Sequence, residues 1–97
     1  MTSPAGSWRI NKIAHSARRT IESLDTVAQE RVLVALESLQ VDPFAGDIKK
    51  VKGKSDIYRL RIESHRVYFR LDWSSRSIDI LLIDKRGQIK GKSIERL

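Results

Sequence analysis

The apolar residues of this chain repeat with one period before Pro43 and with another after it. Upstream, Ala14, Ala17, Ile21 and Leu24 are spaced three, four and three apart, and Ala28, Val32, Ala35, Leu36 and Leu39 continue at helical intervals. That spacing puts them on one face of an α-helix. Downstream, residues 57–63 (IYRLRIE), 66–73 (RVYFRLDW) and 77–84 (SIDILLID) are rich in β-branched and aromatic side chains, as strands are. A helix offers a stripe and a strand offers a face, so the two halves share one core only if a helical layer lies on a sheet.

The breaks between these segments refine the picture. Leu24-Asp25-Thr26 divides the helical half in two. Ser16 is positioned to cap the first helix, and Thr26 with Gln29 forms a capping-box pattern at the second, with Asp25 as the alternative cap. The second helix is expected to end before Asp42-Pro43. So tight a break points to an antiparallel helical hairpin. Ahead of it, Trp8, Ile10 and Lys12 alternate with Arg9, Asn11 and Ile13, which suggests a short first strand. Ser64-His65 and Ser74-Ser75-Arg76 are hairpin-length breaks, so the later strands should form an antiparallel meander. The expected class is α+β in the order β-α-α-β-β-β, with an N-terminal helical hairpin packed on a small, mainly antiparallel twisted sheet. Residues 1–7 read as a flexible tail and 8–97 as a single domain. Residues 85–97, polar with Gly87 and Gly91, suit a short edge strand or turn, and Trp8 and Trp73 read as core or core-edge residues.

Composition then narrows the function classes. The chain has 97 residues and no Cys, which removes disulfides, thiolate metal sites and a Cys nucleophile. No apolar run approaches the roughly 20 residues a bilayer crossing needs. MTSPAGS lacks the basic and apolar regions of a secretory signal, so a cytoplasmic location is expected. The net charge is +7, and it is unevenly placed: residues 1–48 hold five Lys/Arg against six acids, whereas 49–97 hold fourteen against six. A surplus confined to one half is the footprint of a polyanion binder. A membrane-surface role fits less well, because the basic half lacks an amphipathic helix with aromatic anchors.

Strand alternation places that charge. With Tyr58, Leu60 and Ile62 toward the core, Arg59 and Arg61 point away from it together. With Val67, Phe69 and Leu71 inside, Arg66, Tyr68 and Arg70 join them outside. Guanidinium is a rigid donor fork suited to phosphate, and an aromatic neighbour offers a plane for a base. Lys49, Lys50, Lys52 and Lys54 precede this surface, and Lys85 and Arg86 follow it. The plain alternative is a solvated face balanced by Glu63, Asp72 and Asp79. His15 and His65 stand apart with no metal-ligand spacing. His65 reads either as a proton carrier or as a solvated turn residue. Gly87-x-x-x-Gly91-Lys92-Ser93 is one residue short of a phosphate loop between its glycines, and no helical pattern follows it.

The order of blocks resembles the RelE/ParE family of bacterial toxins. A helical hairpin is followed by Asp42-Pro43, Lys50-Val51-Lys52-Gly53, Tyr58-Arg59-Leu60-Arg61, His65-Arg66-Val67-Tyr68-Phe69 and a strand ending Lys85-Arg86. The resemblance covers roughly residues 8 to 87. It implies a toxin of a type II toxin–antitoxin pair, silenced by a cognate antitoxin. The RelE branch cleaves mRNA on the ribosome without metal, and the ParE branch poisons DNA gyrase. A third expectation is a degenerate RNA-binding member without catalysis. By resemblance Arg59, Arg61, Arg66 and Arg86 take the catalytic positions, and Lys50, Lys52, Lys54, Tyr68, Arg70 and Lys85 the RNA-binding ones. RelE-type members carry a tyrosine near the position of Lys92, and other members end in a His-Tyr pair. This chain has no Tyr after Tyr68. The arginine guanidinium stays protonated and has no lone pair with which to accept a proton, so His65, Lys92, Lys52, Lys54 and Lys85 are the candidates for proton transfer. No cofactor or metal is expected, and the partners implied are the antitoxin, the ribosome and mRNA, without a membrane.

Overall fold

The computed structural model describes residues 7–85 and residue 97. The chain runs β1 (Arg9–Ile13), α1 (His15–Ser23), α2 (Thr26–Val41), β2 (Ile48–Lys50), β3 (Ile57–Ile62), β4 (His65–Asp72) and β5 (Ser77–Lys85). The five strands form one sheet in the order β1-β5-β4-β3-β2. Neighbours from β2 to β5 are antiparallel, and β1 lies parallel to β5. This is the α+β architecture expected, with one added strand. β2 is three residues long, IKK, too short to show a period of two. Only its pairing with β3, Ile48 to Leu60 and Lys50 to Tyr58, makes it a strand.

The helix starts differ from the sequence reading at Ser16 and Thr26. Ala14 is the N-cap of α1 and offers no side-chain bond; its backbone N–H donates instead to the Ile80 carbonyl of β5 at 2.8 Å. Ser16 lies inside the helix, where its carbonyl accepts from the Thr20 hydroxyl. At α2 the alternative cap is used: Asp25 Oδ1 accepts from Ala28 N–H at 2.8 Å. Gln29 makes no capping box, since its Nε2 donates to the Ile21 carbonyl at 2.9 Å and ties the two helices together.

The core lies between the helices and one sheet face. Ala17, Ile21, Val32, Leu36 and Leu39 pack on Leu60, Val67, Phe69, Leu71, Ile78, Ile80 and Ile83, with Trp8 at the margin. Ile80 and Ile83 are three apart yet both face the helices, because the β4–β5 register shifts between Tyr68 and Phe69. Such a bulge inserts one residue and re-aims all that follow. Trp73 is 51% exposed, so it is a rim residue, stacked on Phe44 at 5.6 Å and edge-on to Trp8 at 5.2 Å. Among the described residues no helix is long and apolar enough to cross a membrane.

Candidate nucleic-acid interface

Cross-strand partners share a face, so the register assembles the surface opposite the helices row by row. One row is Lys49, Arg59, Tyr68 and Leu82 across β2 to β5. The next is Arg61, Arg66 and Asp84. A third joins Arg70 of β4 to Asp79 of β5 and Lys12 of β1. Arg59, Arg61, Arg66, Tyr68 and Arg70 are thus brought together on a single sheet face.

The charges on this face are not equivalent. Arg59 Nη2 pairs with Asp47 Oδ1 at 3.2 Å, while its Nε is buried with no hydrogen-bond partner. Arg66 Nη1 lies 3.7 Å from Asp84 Oδ2. Arg61 and Arg70 are exposed. Tyr68 is buried, so its ring is covered and does not present the open stacking plane expected of it. Burial, and then the Asp84 carboxylate, push the Tyr68 phenol above its ordinary pKa; Arg66 and Arg59 pull the other way. The phenol therefore stays neutral and keeps its proton across the physiological range. A phosphate entering this face meets guanidinium groups on two adjacent strands, which is the arrangement that stabilises charge on a phosphoryl oxygen.

Other residues singled out in the sequence lie elsewhere. Lys50 shares the side of Tyr58, its register partner, and Lys49 takes the place beside Arg59. Lys52 is exposed in the turn before β3, and Lys54 is half-buried there. His65 pairs with Ile62 and Lys85 on the helix side. It lines a cleft with Asp25, Ala28, Arg31 and Ile62, on the side of the sheet opposite Arg59, Arg61 and Arg66. Arg86 and Lys92 lie outside the described residues. Lys12, Asp47 and Asp84 are members or neighbours of this face that the sequence did not single out. Which of Lys49 and Lys50 joins the face had no visible signal, because β2 is defined only by pairing. Asp84 was hidden by the bulge: strict alternation from Ile78 would point it inward. Among the described residues no three His, Asp or Glu side chains converge as a metal site.

Comparison with known proteins agrees with the fold described above. A family model described as ParE toxin of the type II toxin–antitoxin system, parDE, matches residues 10–90. The RelE1 protein of Methanocaldococcus jannaschii is 37% identical over 54 residues, which are 53% of this chain and 60% of that protein, so the match spans less than two thirds of its length. Among solved structures, the archaeal RelE–RelB complex from Pyrococcus horikoshii matches with a TM-score of 0.74 and 27% identity, over 86% of this chain and 99% of that one. The RelBE2 toxin–antitoxin complex from Mycobacterium tuberculosis shares the fold, with a TM-score of 0.70 and 21% identity over 81% of this chain and 98% of that one. With sheet order, sequence blocks and family match coinciding over most of its length, this chain belongs to the RelE/ParE family of type II toxin–antitoxin toxins.

Proposed function

We propose that the protein is a ribosome-dependent, metal-free mRNA endoribonuclease that arrests translation. The observation that carries this reading is the adjacency of Arg59, Arg61 and Arg66 on β3 and β4, on the face turned away from the helices. In the proposed reaction the 2′-oxygen attacks phosphorus and the bond to the 5′-oxygen breaks. The products are a 2′,3′-cyclic phosphate and a 5′-hydroxyl. The 2′-hydroxyl gives up its proton, and the leaving 5′-oxygen receives one. Between those transfers the phosphorane carries extra negative charge, which fixed guanidinium groups stabilise without a metal. Lys49 and Arg70 extend the basic surface to either side and hold the flanking backbone. Arginine does not serve as the base, since its guanidinium stays protonated and offers no acceptor. In-line positioning on the ribosome and charge stabilisation carry the larger share of the rate.

Relatives are known in complexes with RelB antitoxins, and a cognate antitoxin is the proposed partner here. Its acidic or amphipathic segment blocks or distorts the arginine face. The test of activity is direct: purified protein is added to ribosomes carrying a programmed mRNA, and the mRNA ends are mapped. Cleavage in the A site supports the reading, and intact message overturns it.

A second reading is inhibition of DNA gyrase. It is favoured by the lack of any tyrosine after Tyr68, a departure from RelE-type members, and by the parDE description of the matched family. Purified gyrase with a relaxed plasmid discriminates: unimpaired supercoiling in excess toxin removes this alternative.

A further inference from the structure

The row Arg61–Arg66–Asp84 holds two arginines side by side and one carboxylate. Like charges opposite one another on neighbouring strands repel. Arg66 has Arg61 on one flank and Asp84 on the other, so its guanidinium is drawn toward β5 and away from Arg61. The carboxylate is only 2% exposed, whereas Arg66 keeps about a third of its side chain accessible, 34%. The acid is thus placed to bind the arginine without showing its own charge to an incoming phosphate. Tyr68, two residues from Arg66 on the same face, feels the Asp84 charge as well, which agrees with a carboxylate set among these side chains. A bulge between Tyr68 and Phe69 is what turns Asp84 to this side of the sheet.

We infer that Asp84 is a positioning residue that holds the Arg66 guanidinium in the orientation that meets the scissile phosphate. The inference rests on the mRNA-cleavage reading above and deepens it. Asp84 touches no substrate; it acts through Arg66. Replacing Asp84 with Asn keeps the shape and removes the charge. Arg66 then loses its anchor while the face gains one net positive charge. Turnover falls by about 10- to 100-fold, the range expected for a displaced catalytic group. KM stays level or falls, because a more positive face attracts RNA at least as well. Loss of structure alone would not produce that split.

The experiment uses the full chain and four proteins: wild type, Asp84→Asn, Arg66→Ala and the double variant. Each is assayed for mRNA cleavage on programmed ribosomes and for its thermal midpoint. The expected result is a lower kcat without a higher KM for Asp84→Asn, and equal residual activity for Arg66→Ala and the double variant, since residues acting as one unit are not additive. Wild-type kcat in Asp84→Asn, or a further loss when it is added to Arg66→Ala, overturns the inference while the cleavage reading stands. If Asp84→Asn does not fold, comparison of Arg66→Ala with the double variant decides, because removing both charges leaves no unpaired buried ion. An Arg66→Ala protein of full activity likewise overturns the inference and leaves the cleavage reading standing, whereas a wild type that leaves mRNA intact overturns both.

Discussion

Gln40 of α2 closes the outer edge of β1: its Oε1 accepts from the Ile10 N–H at 3.0 Å, and its backbone carbonyl accepts from the Trp8 N–H at 3.0 Å. One residue therefore satisfies two N–H groups that an edge strand would otherwise present to another chain. Gln40→Ala keeps the backbone bond and loses the side-chain one. A half-buried N–H left without a partner should cost roughly 1–2 kcal/mol, read as a lower urea midpoint with an unchanged slope. An unshifted midpoint would show that water replaces the glutamine without loss.

Asp25 caps α2 through the Ala28 N–H, and the second helix carries Val32, Leu36 and Leu39 into the core. Asp25→Ala is expected to cost about 1 kcal/mol. Asp25→Ser restores most of it, because a hydroxyl can accept the same bond. Thermal melts of the two variants check the assignment; equal losses in both would argue for a role other than capping.

Arg61 is exposed on the open sheet face. Arg61→Ala should leave the unfolding free energy within about 0.5 kcal/mol of wild type. Its mRNA cleavage should drop by about 100-fold or more, the scale seen when a preorganised charge-stabilising donor is removed. Undiminished cleavage in a folded Arg61→Ala protein removes this residue from the site.

Binding to single-stranded RNA should weaken steeply with salt. Each phosphate neutralised contributes about −0.7 to the slope of log affinity against log salt. Lys49→Ala, at the side of Arg59, should make that slope shallower by about 0.7 across RNA sequences. Lys50→Ala, whose register partner is Tyr58 on the opposite face, should change it less. Equal effects of the two lysines would contradict the assigned face.

Asp72 shapes the turn between β4 and β5 by accepting from the Ser74 hydroxyl at 2.7 Å and from the Ser74 and Ser75 N–H groups. The Ser74 hydroxyl, followed by the Ser75 N–H, holds its pKa below the ordinary carboxylate value. The unfolded chain then takes up this proton first, so the stabilisation is complete above about pH 4 and is lost as pH falls through the lowered native pKa. Asp72→Asn should be less stable than wild type at pH 7, and that difference should shrink at pH 2. A gap of constant size at both pH values would show that ionisation of Asp72 does not matter.

The two helices, three longer strands and the outward side of Arg59, Arg61, Arg66 and Arg70 were legible because each follows from short-range alternation. What was illegible involves partners far apart in sequence. Ser16 has the chemistry of a cap, yet α1 begins earlier because Ala14 is tethered to Ile80. Tyr68 has the chemistry of a stacking platform but is buried among its neighbours on the open face.

The sequence by itself determined that a helical hairpin must cover a basic, arginine-rich sheet, since hydrophobic period and charge placement are local properties of the chain. Tertiary structure alone decided which charges stand next to the arginines. The pairing of β2 put Lys49, not Lys50, beside Arg59. The bulge opposite Tyr68 and Phe69 turned Ile83 inward and Asp84 toward Arg66. A one-residue shift in register reverses every side chain beyond it, and no local pattern in SIDILLID records that shift.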